Sequence, residues 1–472
     1  MKAEEVRAEY AALINPDTTS GDQQWKTMGD IAEVVGGGTP RTSDSSNFEN
    51  GDIPWLTPAD LSGYTEKYVS HGARFITRKG LESSSARILP AGSVLFTSRA
   101  PIGYVAIARN PIATNQGFKS FVLKDGILPE YVYWWLKGAK QTAEGLASGT
   151  TFLELSGANA KKLPIPIVPV DQQKRIVAEI EKQFSRLDEA VANLKRVKAN
   201  LKHYKAAVLK AAVEGSLVET EAELARREGR SYETGTQLLQ RILETRRSQW
   251  NGNGKYKEPG APDTTNLPEL PEGWVWTSLD SLIVDGPQNG IYLPKTLYGT
   301  GHPILRIDDY QQDWIRPVTE LQRVRAKPED VATYSLRTGD IVINRVNSPS
   351  HLGKVAIWEK TAEMPLFESN MMRAAFSSAV VPLYVATYLR SLHGRVRLTK
   401  QAKWAVNQAS INQQDVCGTP VPLPSLEEQN RIVAEVDLRL SALHKTEALV
   451  DANFQRTNHL RQSILSQAFA SQ

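Results

Sequence analysis

The sequence predicts a mixed α/β chain of two globular domains in tandem pseudo-repeat, separated by two long helices that pair as an antiparallel coiled coil. Three observations predict it. First, the chain repeats itself. Pro164-Ile165-Pro166-Ile167 and Gln173-Lys174-Arg175-Ile176-Val177-Ala178-Glu179-Ile180 return, 256 positions later, as Pro420-Val421-Pro422-Leu423 and Gln429-Asn430-Arg431-Ile432-Val433-Ala434-Glu435-Val436. Second, apolar residues recur at steps of three and four after each copy. Third, short β-like runs alternate with Gly and Pro turn signals before each copy. Two copies of a large unit imply pseudo-two-fold symmetry, and hence a ligand with two separated, related sites.

The elements follow in chain order. Residues 1–24 carry Glu4, Glu5, Glu9, Asp17 and Asp22 against Lys2 and Arg7, and read as a polar arm or short helix. Residues 25–168 form the first domain, with strands at Ile31–Val35, Ser93–Phe96 and Tyr104–Ala108 and a helix at Glu130–Leu136. Tyr131, Trp134 and Trp135 fall at core spacing on that helix. The prolines from Pro164 to Pro169 forbid helix and predict an extended strand that closes the domain. The first long helix, 169–215, places Ile176, Ile180, Phe184, Leu187, Val191, Leu194, Val197, Leu201, Tyr204 and Val208 on one stripe. Residues 171–215 would span ~65 Å at ~1.5 Å per residue, and Gly215 stops them. Residues 216–270 are a central linker region, helical in part and Gly/Pro-rich at its end. Residues 271–425 repeat the domain from Trp276, and residues 426–472 repeat the helix. A stripe this long on a lone helix finds no cover, so the two helices are expected to pair; the alternative is that each packs only on its own domain.

Bulk composition bounds the chemistry. The 472 residues are 41% hydrophobic and 23% charged, ordinary for a globular protein. A net charge of +4 permits nucleic acid without demanding it. Cys417 is the only cysteine, which rules out a disulfide framework and a thiolate zinc site. Met1-Lys2-Ala3-Glu4-Glu5 offers no apolar stretch that could serve as a signal peptide, so none is expected, and no run approaches the ~20 apolar residues of a membrane helix. A soluble, cytoplasmic protein is expected.

Catalytic signatures are missing. The chain has no GxxxxGK[ST] loop, and Gly36-Gly37-Gly38 lacks the spacing of GxGxxG. Pro16-Asp17 and Pro262-Asp263 are not followed by an acidic-x-Lys triplet of nuclease type. Asn15-Pro16 and Asn110-Pro111 lack the Pro-aromatic continuation of adenine methylation, and the seven histidines include no HExxH. A binder is expected, with no catalytic residue and no metal site.

The residue types that read DNA are present. Lys and Arg hold phosphates, while Arg, Asn, Gln, Ser and Thr hydrogen-bond base edges. The first domain offers Thr39, Arg41 and Thr42 after the glycines, Ser98 and Arg99 after a strand, and Asn115, Gln116 and Lys119. The second offers Gln288 and Asn289, then Asn344, Arg345 and Asn347, Asn370 with Arg373, and Lys403-Trp404 near Asn407-Gln408. Arg99 and Arg345 follow equivalent strands, and Asn115 and Asn370 occupy equivalent sites. The asparagines equally fit loop-fixing hydrogen bonds. Trp404, beside Lys403 in a polar stretch, is the stacking candidate. The first long helix carries ten Lys/Arg against six acids between 171 and 215. That charge is a solvated face, or one that meets a partner or DNA.

These features together resemble the specificity subunit of type I restriction–modification systems, across nearly the whole chain. The resemblance rests on Gly36-Gly37-Gly38-Thr39-Pro40, Ser98-Arg99-Ala100-Pro101-Ile102-Gly103, the Gln-x-Arg-Ile-Val-Ala-Glu starts of both helices, and Ala206 to Gly215. Leu238 to Leu243 with Tyr256-Lys257-Glu258-Pro259, and Leu270-Pro271-Glu272-Gly273-Trp274, belong to the same set. Trp25 departs from it, having no Leu-Pro-Glu-Gly run before it. The resemblance implies two target recognition domains, 25–168 and 271–425, each reading half of a bipartite, gapped site in double-stranded DNA. The paired helices would act as a ruler, half-sites about one turn (~34–36 Å) apart fitting within their length. It further implies assembly with two methylation subunits, which use S-adenosylmethionine on adenine N6, and two ATP-driven restriction subunits. S-adenosylmethionine, ATP and Mg2+ would then sit on the partners, none on this chain. Arg175, Glu179 and Arg186, with Arg431, Glu435 and Arg439, are the expected subunit interface on the two similar helices. The alternative is a non-enzymatic, two-domain protein-binding scaffold with a coiled-coil rod.

Overall fold

The computed structural model describes residues 24–149, 153–251, 254–311, 314–359, 361–406 and 408–470. The arm over residues 1–23, and Asn407, lie outside them. The chain divides into two compact units, one of Met1–Arg196 with Val450–Gln472, the other of Val197–Leu449. Both boundaries fall inside long helices, Val170–Val213 and Leu426–Ala470. The sequence pattern alone places boundaries at the helix starts. The helices instead contribute residues to both units.

In the first unit, strand Gln24–Thr27 runs antiparallel to Pro164–Ile167, with Trp25 opposite Pro166. Prolines donate no backbone hydrogen bond, and this strand pairs with one neighbour only. Its carbonyls are used from the helix Pro129–Gly138: the Tyr131 hydroxyl donates to Pro166 at 2.7 Å and the Trp135 indole to Pro164 at 2.8 Å. Tyr131 and Trp135 are thereby core residues. A five-stranded sheet carries the body of the domain, in the order Ala32–Gly36, Lys119–Leu123, Val94–Ser98, Ile102–Ala108, Tyr68–Val69.

Gln173 locks the first long helix onto this domain. Its side-chain oxygen accepts from the Leu128 amide at 2.9 Å, and its nitrogen donates to the Val168 and Gly126 carbonyls at 2.9 and 3.2 Å. Ile176 and Ile180 then enter the core beside Leu465 and Phe469 of the second long helix. The Phe469 ring meets Tyr131 and Trp135 edge-on, at 5.2 and 5.1 Å between centroids.

The second unit repeats the frame. Strand Val275–Ser278 pairs with Pro420–Leu423, Trp276 opposite Pro422. The Tyr384 and Tyr388 hydroxyls donate to Pro422 and Pro420 at 2.9 and 2.6 Å. Gln429 accepts from the Val381 amide and donates to the Pro424 carbonyl. Four strands form its main sheet, ordered Ile283–Asn289, Met371–Phe376, Ile341–Asn344, Val355–Ile357. Leu209 and Val213 share its core with Ile432 and Val436.

In the central region the expected helices form and pack on the second unit's core. Thr220 and Thr234 cap helices Glu221–Glu228 and Gly235–Ser248, each through a capping box. Gly229, at φ 64°, ends the first of them in the left-handed conformation that favours glycine. Leu238 and Ile242 are 0 and 2% exposed, in the core of the second unit. The sequence predicts helix here but not its burial, because the surrounding charge hides a short apolar stripe. That stripe is as buried as any in the domain.

Candidate nucleic-acid interface

In the first unit the glycine run solves a packing problem. A Cβ on Gly37 would lie 1.9 Å from the Asn115 carbonyl oxygen, and one on Gly38 would lie 2.2 Å from the Ala86 nitrogen. The loop is held by the Gly38 amide donating to Thr114 and the Trp55 indole donating to Gly38. It delivers Arg41 and Thr42 to solvent, with Thr39 half-buried. Ser98 does not reach solvent; it is fully buried, and its hydroxyl donates to the Gly117 carbonyl at 3.1 Å. The Asn115 side chain accepts from the Gly117 amide at 2.9 Å, the loop-fixing role. Gln116 beside it is exposed. Arg99 and Lys119 converge on Glu154, at 3.3 and 3.7 Å. That leaves a partly exposed cluster of two cations and one carboxylate.

In the second unit the candidates split in two. Arg373 is 3% exposed and bound by Asp285 at 2.9 Å, Gln288 at 2.8 Å and Asp340 at 3.4 Å. Burial pushes the Asp340 carboxyl above its ordinary range, although the Arg337 amide and Arg373 oppose the shift. Asn344 is fully buried and donates to the His351 carbonyl. Arg345 donates to the Ser369 carbonyl and, through its amide, to Asn370. Arg373, Asn344 and Ser98 therefore correct the expectation of surface groups: their side chains are buried and make their hydrogen bonds within the protein. Their short distance from turn residues made them look surface-bound.

The remaining candidates are gathered by pairing. Val346–Asn347, Gln408–Ser410 and Lys403–Ala405 form a three-stranded ribbon in that order. Asn347, Lys403 and Trp404 thus share one small sheet, although 56 positions separate Asn347 from Lys403. Trp404 is 63% exposed and Val406, at the turn, 98%. Asn289 and Tyr292 are also exposed, at the end of Ile283–Asn289. Val406 and Tyr292 were missed, because apolar residues carry no polar signature in sequence.

On the helices, Arg175, Glu179 and Arg186 are exposed. Arg431 is engaged: it pairs at 2.6 Å with Glu221, which Arg230 holds from the other side. Glu435 and Arg439 pair with each other at 2.6 Å. Among the described residues there is no His/Cys/Asp/Glu cluster fit for a metal, and no helix is long and apolar enough to cross a membrane.

Comparison with known proteins gives a consistent set. Residues 22–203 match the family described as the type I restriction modification DNA specificity domain. The MjaIX specificity subunit of Methanocaldococcus jannaschii is 42% identical over 177 residues, covering 37% of this chain and 40% of that protein. The StySPI specificity subunit of Salmonella potsdam is 25% identical over 400 residues, 83% of this chain and 76% of the relative. Among solved structures, a chain from a study of type I R-M complex assembly and conformational transition superposes with TM-score 0.63 at 18% identity, over 96% of this chain and 99% of the other. The HsdS subunit of Thermoanaerobacter tengcongensis gives 0.54 at 17%, over 97% and 98%. At these identities the structural matches speak for the fold.

Proposed function

We propose that this chain, which belongs to the family of type I restriction–modification specificity subunits, reads a bipartite, gapped DNA sequence with one half-site to each globular domain. The observation that carries the reading is the repeated frame under unlike surfaces. Both units use the Trp-opposite-Pro strand pair and the buried glutamine. Their exposed polar loops differ. Such a design suits one ligand with two related but non-identical halves. In the second unit the small sheet bearing Asn347, Lys403 and Trp404 offers polar groups for base edges, with Trp404 free to stack. In the first, Arg41, Thr42, Gln116 and the Arg99–Lys119 pair serve the same purpose.

The long helices pair antiparallel in this proposal and set the gap. Support comes from each unit separately. Asp188 meets Arg461, and Ile180 shares a core with Phe469; Leu209 shares one with Ile432 and Val436. Low numbers on one helix accompany high numbers on the other. The chain itself performs no catalysis; it assembles with methylation and restriction subunits that supply S-adenosylmethionine, ATP and Mg2+ chemistry. Exposed helix faces, Arg186 among them, dock those subunits, whereas Arg431 is held by Glu221.

The test is a genome-wide map of N6-methyladenine with this gene intact and deleted. Deletion is expected to erase methylation at one two-part, gapped motif and nowhere else. Identical maps, together with no DNA binding by the reconstituted complex, would sink the reading.

A further inference from the structure

In the unit of Val197–Leu449, the helix Pro382–Arg390 ends on a cation with no anion to meet. Among the described residues the Arg390 guanidinium makes one hydrogen bond, from Nε to the Val355 carbonyl at 3.4 Å. No described carboxylate comes within ion-pairing distance of it. Burial pushes its pKa down to about 10, and Glu359 opposes the shift from farther off. Burial lowers the Lys205 pKa as well; Glu447 opposes this, and the nearby charge of Arg390 adds to it. Arg390 lines a cavity of about 400 Å³, walled by Trp314, Trp358, Leu383, Val433 and Leu440. Glu359 and Asp437 also line it, both exposed to solvent.

The other unit repeats the position. Lys137 and Arg390 each stand eight residues after the proline that opens their helix, Pro129 and Pro382. Burial lowers the Lys137 pKa. Its ammonium lies 5.4 Å from the centre of the Tyr133 ring and meets no described carboxylate. A cation held out of water without a partner is costly, and here the cost recurs at one place in both frames.

We propose that Arg390 receives an acidic side chain of a protein partner, and that Lys137 receives the same group from a second copy of that partner. This rests on the assembly proposed above, in which the partner is the methylation subunit. Two arguments select the occupant. The polar loops that would read DNA differ between the units, whereas this position is alike, so its ligand is common to both. The cavity sets apolar walls around one guanidinium, which fits the methylenes and terminal carboxylate of a Glu side chain. A DNA phosphate, flanked by sugars on a continuous strand, binds on open basic surface instead.

The experiment titrates the full chain with purified methylation subunit, read by native mass spectrometry and calorimetry. The wild-type chain is expected to take up two copies. Arg390→Met should weaken one of them about thirtyfold or more, as truncating one partner of a buried charge pair does. Lys137→Met should weaken the other, and the double variant both. Arg390→Lys, which keeps the charge, should lose much less. Met removes a buried, unpaired charge, so the urea midpoints of the Met variants should stay at or above wild type. A fall would mark these residues as structural cations and overturn the proposal. It is equally overturned if each variant binds both copies at wild-type strength. A dimer of the chain alone that Arg390→Met dissolves would assign the cavity to a second copy of this chain instead. A wild-type chain that takes up no methylation subunit would remove the assembly reading, and this proposal with it.

Discussion

At the scale of single residues, burial separates positions that composition cannot. Trp404 and Arg373 looked like comparable DNA contacts. Trp404 is 63% exposed on a ribbon, and Arg373 is 3% exposed among two carboxylates. Removing a stacking ring costs ~1–3 kcal/mol of binding, and a surface change rarely moves stability by more than ~0.5 kcal/mol. Trp404→Ala should therefore weaken DNA binding about tenfold or more while its urea midpoint stays put. Arg373→Ala strands buried charge, which costs ~3–5 kcal/mol of stability, and urea denaturation should report that loss. Glu428 gives a pH prediction. Burial raises its pKa above 4.5, against opposing hydrogen bonds from the Glu221 amide and the Trp274 indole. A raised folded pKa means that the folded state holds the proton more tightly than the unfolded one. The associated stability is present below pH 4.5 and is lost as pH rises through the folded pKa. The first copy has Gln172 at the equivalent position. Glu428→Gln should remove that decline in thermal melts taken across the acidic range, and an unaltered pH profile would count against the assignment.

At the scale of elements, a few local rules set the frame and tertiary contact sets its use. Pro164-Ile165-Pro166 and Pro420-Val421-Pro422 exclude helix and leave carbonyls for Tyr131, Trp135, Tyr384 and Tyr388. The exclusion is legible in sequence; the partners are not, because they lie ~30 or more residues away in a chain whose contacts are non-local. The central region makes the same point from the other side. Its helices were legible, but their packing was not. Leu238 is fully buried in the second unit's core, so Leu238→Ala should cost ~2–5 kcal/mol. A helix that did not pack on the domain would tolerate the change, and an unshifted denaturation midpoint would count against this packing.

At the scale of the whole molecule, the proposed helix pair makes a quantitative demand. Inserting one heptad at matched points of both long helices adds ~10 Å to the rod. DNA rises ~3.4 Å per base pair, so the gap in the methylated motif should lengthen by about three base pairs with both half-sites unchanged. Methylation mapping of the variant reads this directly; an unchanged gap would remove the ruler from the proposal. Conversely, substitutions confined to the ribbon around Trp404 should alter one half-site and leave the gap alone.

The sequence by itself determined the duplication, the helix-forbidding prolines, the two long apolar stripes and the glutamines that open each helix. Each is a local or periodic property, written in the order of residues. Only the tertiary structure decided that the last turns of the second helix, Leu465 and Phe469, belong to the first unit's core. It alone brought Asn347 to Lys403 and Trp404, and withdrew Arg373, Asn344 and Ser98 from the surface. The physical reason is one of range. Propensity and periodicity act over a few residues, whereas burial and strand pairing depend on which distant segments the chain brings together.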